Sequence, residues 1–152
     1  MDWTTAKELN DELLFRLHRG DPKVERLAGL AFFDGCSRRA LSGAARLVDF
    51  VEAKAGTVLA RQGTPAAQVL ILVKGAVEVT KPGSDPRTAA KGEVFGEMAA
   101  LSRLPHPETL VAQGPVEVAV IGVQNFLALL DSQPCLALKV LERAVKQPQR
   151  VA

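Results

Sequence analysis

At 152 residues, with 19 basic side chains against 17 acidic ones and a formal charge of +2, the chain has the size of one domain, and its scattered cations give no footprint for nucleic acid. Hydrophobic residues make up 47% and aromatics 5%, with no Tyr, so the core must be aliphatic, built from Val, Leu, Ala and a few Phe. No run approaches the roughly 18 consecutive apolar residues of a membrane span, and the charged N-terminus lacks a signal-peptide core, which predicts a cytoplasmic protein that does not enter a membrane.

In chain order, Leu9, Leu13, Leu14 and Leu17 fall at helical spacing and predict an amphipathic helix over residues 5–19, ending at Gly20. His18 reads as a residue of that helix's C-terminus, favoured by the dipole. Asp21 and Pro22 read as an N-cap and first helical position, opening a short helix through Val24, Leu27 and Leu30. Ser37 then caps a helix carrying Leu41, Ala44 and Ala45. Extended, β-branched composition begins at 47–51 and continues at 58–60.

From Gly56 onward glycines punctuate short strands. Residues 69–73 and 77–80 are apolar runs separated by Lys74, Gly75 and Ala76, which predicts a tight hairpin with Gly75 at positive φ. Residues 81–86 form the loop before the next strand, and 110–112 and 116–121 give two more around a turn at 113–115. About eight such strands predict an α+β, mainly β architecture: an antiparallel, jelly-roll-like β-roll with N-terminal helices and two C-terminal ones. The last two helices are expected at 125–130 and from Pro134 to about Lys146, the latter with an apolar stripe of Leu136, Val140, Leu141 and Val145 packed on the roll. Cys36 and Cys135 lie far apart with no CxxC and read as buried free thiols.

The stretch with chemical content is Gly92 to Ala112, GEVFGEMAALSRLPHPETLVA. Gly96 permits close backbone approach, and residues 97–101 can form one helical turn whose free N–H groups converge. Glu97 would either cap that turn or accept hydrogen bonds from ligand hydroxyls. The two histidines, His18 and His106, cannot assemble a cupin-type metal site, and there is no GxSxG, so the domain is expected not to be an enzyme.

Over about residues 25–146 the sequence resembles the cyclic-nucleotide-binding domain of bacterial cAMP-responsive regulators, kinase regulatory subunits and gated channels. The resemblance rests on LAGLAFFDGCSRRAL (27–41), on Gly56, Gly63, Gly75 and Gly92, and on FGEMAAL (95–101). It implies residues 1–24 as a helical extension, 25–146 as the domain and 147–152 as a tail. It also implies a phosphate-binding cassette in which Gly96 allows backbone approach, Glu97 takes a ribose hydroxyl and Met98, Ala99 and Ala100 form the turn. Where the family closes the cassette with Pro-Arg-Ser/Ala-Ala-Thr, this chain reads Pro105, His106, Pro107, Glu108, Thr109.

Histidine for arginine removes a permanent charge and a bidentate fork. Its ordinary pKa near 6.5 leaves it mostly neutral, Pro107 offers no N–H, and Glu108 adds negative charge. Arg103 on the same loop is a candidate to swing inward in its place, against the alternative of a solvated surface arginine, and protonation of His106 against a phosphate is the other candidate. The expected ligand-binding set is Gly96, Glu97, Met98, Ala99, Ala100, His106, Pro107 and Thr109, with no metal and no resident cofactor. The expected function is a regulatory or sensor module whose binding of cyclic nucleotide, cAMP or another small molecule, is weakened or altered; the alternative is a degenerate scaffold for protein–protein interaction. A protein partner or homodimer is expected, and a DNA-binding module or a membrane contact is not. The final helix has no aromatic side chain to stack on a purine.

Overall fold

The computed structural model describes residues 22–146. The helix expected over 5–19, His18, the Asp21 cap and the tail 147–152 lie outside the described residues. The first described helix, α1 (Pro22–Ala28), buries Val24 and Leu27, and a single 3-10 turn follows at Ala31–Phe33. Phe32 meets Phe33 edge-on at 5.3 Å and stacks on Phe126 at 6.3 Å, so these three rings cluster where the helices meet. Helix α2 (Arg38–Ala45) starts at Ser37, whose hydroxyl accepts from the Ala40 N–H at 3.1 Å, as the sequence predicts.

Eight strands then form two four-stranded antiparallel sheets, the expected mainly β roll. They are β1 (Asp49–Ala53), β2 (Val58–Ala60), β3 (Gln68–Lys74), β4 (Val77–Thr80), β5 (Arg87–Ala89), β6 (Val94–Phe95), β7 (Thr109–Ala112) and β8 (Val116–Gly122). One sheet runs β1-β8-β3-β6 and the other β2-β7-β4-β5. Strand β3 is buried on both faces, which explains its unbroken apolar run. Val69, Ile71 and Val73 pack with the helices, whereas Leu70 and Leu72 point between the sheets towards Val77, Val79, Leu110 and Val118.

The structure corrects the hairpin expected between residues 69–73 and 77–80. Gly75 has φ +91° as expected, but β3 and β4 belong to different sheets and do not pair. The turn instead carries the chain across from one sheet to the other. A Cβ at Gly75 would stand 2.6 Å from the Pro115 carbonyl oxygen, because the β7–β8 connection crosses at the same corner and Gln113 N–H donates to Ala76 O at 3.0 Å. The 81–86 loop does close a true hairpin, with Val77, Glu78 and Val79 opposite Ala89, Thr88 and Arg87.

Helix α3 (Glu97–Ser102) interrupts the strands, and α4 (Val123–Ser132) and α5 (Pro134–Lys146) close the chain. The α5 stripe is corrected as well. Leu136 and Val140 are buried, but Leu141 and Val145 are 60% and 74% exposed, as is Leu138 at 59%. At 3.6 residues per turn, 136, 140 and 143 share one face, and 138, 141 and 145 lie on the other. No helix among the described residues is long and apolar enough to cross a membrane.

Candidate functional site

Helix α3 begins where β6 ends, and the join requires Gly96. Its φ is +87°, and an added Cβ would stand 2.9 Å from Gln68 O and 3.3 Å from His106 Cε1. The backbone here is thus pressed against β3 on one side and the His106 ring on the other. The Ala99 and Ala100 side chains are buried and Met98 packs against the helical core, so these three residues can offer a ligand only their backbone. Pro107 is exposed, and the Thr109 hydroxyl accepts from Gln62 N–H at 2.9 Å. Arg103 ends α3 at φ +56° and is exposed, making no ion pair among the described residues.

His106 is 9% exposed. Its backbone is stitched to the turn after β2: His106 N–H donates to Thr64 O at 2.8 Å and Gly63 N–H donates to His106 O at 2.9 Å. Pro65 and Pro105 bridge alongside. The imidazole makes no hydrogen bond within the protein, while no buried side-chain nitrogen or oxygen among the described residues lacks a partner, so the ring nitrogens open onto the adjoining space. Burial holds the His106 pKa below its ordinary value, which favours the neutral ring.

That space is a cavity of about 310 Å³ lined by Ala60, Arg61, Thr64, Gln68, Leu70 and His106 among others. A second, of about 470 Å³, adjoins it, sharing Val58, Leu59, Gln68 and Leu70 as walls and extending to Val118 and Val120. Both volumes lie in the range of small-molecule sites, roughly 300–1,000 Å³. Of the eight expected site residues only His106 lines either cavity.

Of the two roles expected for Glu97, the capping one is not taken, since no side chain caps the α3 turn. Buried at 5% exposure, its Oε1 accepts from Arg143 of α5, with Nε at 2.9 Å and Nη2 at 2.9 Å. Arg143 also donates to Val94 O at 3.3 Å. A charge-assisted pair at this depth is strong only because both partners are satisfied. Sequence reasoning passed over Arg143, although its position three residues after buried Val140 puts a cation on the buried face of α5, which signals a waiting anion. Glu108 lies 4.0 Å from Arg87, which also holds Glu93 at 2.9 Å. Glu97 therefore has Arg143 as its own partner, whereas Glu108 shares Arg87 with Glu93.

Cys36 and Cys135 are partly buried free thiols brought together by the packing of α5 on the 3-10 turn. Burial first, then a hydrogen bond with Cys135, pushes the Cys36 thiol up to about 12. Among the described residues no group of three or more His, Cys, Asp or Glu side chains is arranged to hold a metal ion.

Residues 50–133 match the family model of the cyclic nucleotide-binding domain. The chain belongs to this family. It is 36% identical over 94 residues to the acetyltransferase Pat of Mycolicibacterium smegmatis, covering 59% of this chain and 28% of that protein. It is 31% identical over 111 residues to a cyclic nucleotide-gated potassium channel of Rhizobium etli, covering 69% of this chain and 31% of the channel. The domain thus spans less than a third of either relative. A cAMP-binding acyltransferase from Mycobacterium smegmatis superposes with a TM-score of 0.62 at 31% identity, over 80% of this chain and 39% of that one. The regulatory domain of Toxoplasma gondii PKA, solved with cAMP, gives 0.71 over 90% of this chain and 52% of that one; at 22% identity this likeness speaks for the fold alone.

Proposed function

We propose that this cyclic nucleotide-binding domain is a regulatory module with weakened cyclic nucleotide affinity, whose occupancy is read out by α5. The observation that carries the reading is the Glu97–Arg143 pair, which joins the start of α3 to the last described helix. A ligand hydroxyl that engages Glu97 must share or displace Arg143, and either outcome changes what holds α5 in place. The proposed binding set is the expected one, with Gly96, Glu97, Met98, Ala99 and Ala100 acting through the α3 turn and His106, Pro107 and Thr109 through the following segment. Weakening rests on His106: buried, biased to the neutral form and lacking arginine's fork, it offers a phosphate less than a fixed cation does.

The module binds rather than catalyses in this reading, and passes its state to a protein partner or second copy. The exposed Leu138, Leu141 and Val145 of α5 support such a contact. The second reading, a scaffold without a small-molecule ligand, draws support from the same pair, since Glu97 is already satisfied by Arg143.

Calorimetric titration with cyclic AMP and cyclic GMP separates the two. The wild type is expected not to saturate at low micromolar ligand, and His106→Arg to tighten binding on the order of ten- to several-thousand-fold. Tight wild-type binding would refute the weakening. Failure of both proteins to bind at millimolar ligand would leave the scaffold.

A further inference from the structure

The first cavity has an electrostatic character that the histidine substitution alone does not suggest. Among its ten wall residues Arg61 is the one with a formal charge, and no carboxylate lines it. Glu97 and Glu108, the acids of the adjoining segment, are turned to Arg143 and Arg87. The Arg61 side chain makes no ion pair or hydrogen bond with the described residues, while its carbonyl is fixed by the Thr64 N–H at 3.1 Å and the Thr64 hydroxyl at 2.6 Å. The paired backbone bonds between His106 and the Gly63–Thr64 turn then anchor this short loop beside the imidazole. Arg61, whose guanidinium has no partner among the described residues, His106 with its open ring nitrogens, Gln68 and Thr64 therefore line one concave space whose other walls are apolar.

We propose that Arg61 is the anion-binding residue of this cavity, supplying from the β2–β3 loop the fixed positive charge that the segment around His106 lacks. The ligand class is a phosphate monoanion joined to an apolar or aromatic body, with the phosphate at Arg61 and His106 and the body against Leu59, Leu70 and the shared walls of the second cavity. Arginine suits this task because its fork stays charged and can grip two phosphate oxygens. The assignment rests on the proposed cyclic nucleotide function, seats the phosphate in the cavity that His106 lines, and adds to that reading which residue sets the remaining affinity.

The test is a calorimetric cycle with cyclic AMP over wild type, R61Q, R61K, H106R and R61Q/H106R, each checked for an unchanged melting temperature. R61Q is expected to weaken wild-type binding by about ten- to a hundredfold, with R61K intermediate. In the H106R background the same change should cost less than about threefold, because the new arginine takes over the phosphate. A tight wild type that R61Q weakens would keep Arg61 and discard the weakening proposed above. Equal affinity of R61Q and wild type would overturn Arg61 while leaving the pocket, as would strong binding by H106R with none by wild type. No binding by either wild type or H106R would bring down both readings together.

Discussion

Gly96 and His106 show how much a single position decides here. A side chain at 96 would meet both a β3 carbonyl and the imidazole while holding φ +87°, a conformation costing an L-residue roughly 1–2 kcal/mol before any clash. Gly96→Ala should therefore lower stability by about 1–3 kcal/mol, read as a fall in the urea midpoint at constant slope. Two groups among the described residues, His106 and Cys36, contribute to the pH dependence in opposite senses. The His106 pKa is depressed in the folded chain, so the stability it contributes is present above about 6.5, where the unfolded ring loses its proton, and is lost as pH falls through the folded value. Cys36 works in the opposite sense: raised from 9.0 to about 12, its contribution is complete below 9 and is lost as pH rises towards 12. Denaturation midpoints measured across pH should form a plateau between these limits. His106→Gln should flatten the acid edge, and Cys36→Ala the alkaline edge.

At the scale of elements, local signals were easy to read and pairings were not. The Ser37 cap, the bounds of β4 and the start of α5 follow from residues within a turn or two of one another. The partition of β3 and β4 between sheets does not, because a glycine at positive φ serves a hairpin and a sheet-to-sheet crossing equally well, and only the distant β7–β8 corner distinguishes them. The same limit applies to the site. Arg61 looks like any cation in an exposed turn until hydrogen bonds to His106 bring it to the cavity, and no local pattern brings Cys36 to Cys135. Helix α5 reveals the difference within one element, since its sequence carries apolar residues on two faces and only one is covered. Leu136→Ala should cost about 2–5 kcal/mol in chemical denaturation, whereas Leu141→Ser should stay within about 0.5 kcal/mol. A large loss for Leu141→Ser would reveal a covering contact on that face.

For the molecule as a whole, the arrangement is two sheets enclosing one apolar interior, with helices forming a second interior against the outer face of β3 and its neighbours. The Arg143–Glu97 pair and the packing of Leu136 and Val140 tie α5 to this body, while the cavity opens beside the β2–β3 loop. The residues that place α5 and those that line the cavity are thus different ones, with Gly96 packed against both Gln68 and His106 of the cavity wall. Because successive residues of β3 belong alternately to the two interiors, the strand acts as a party wall. A void opened by trimming Ile71 on one side would loosen the backbone that presents Leu70 and Leu72 to the other. The two halves are in this way bound to melt together.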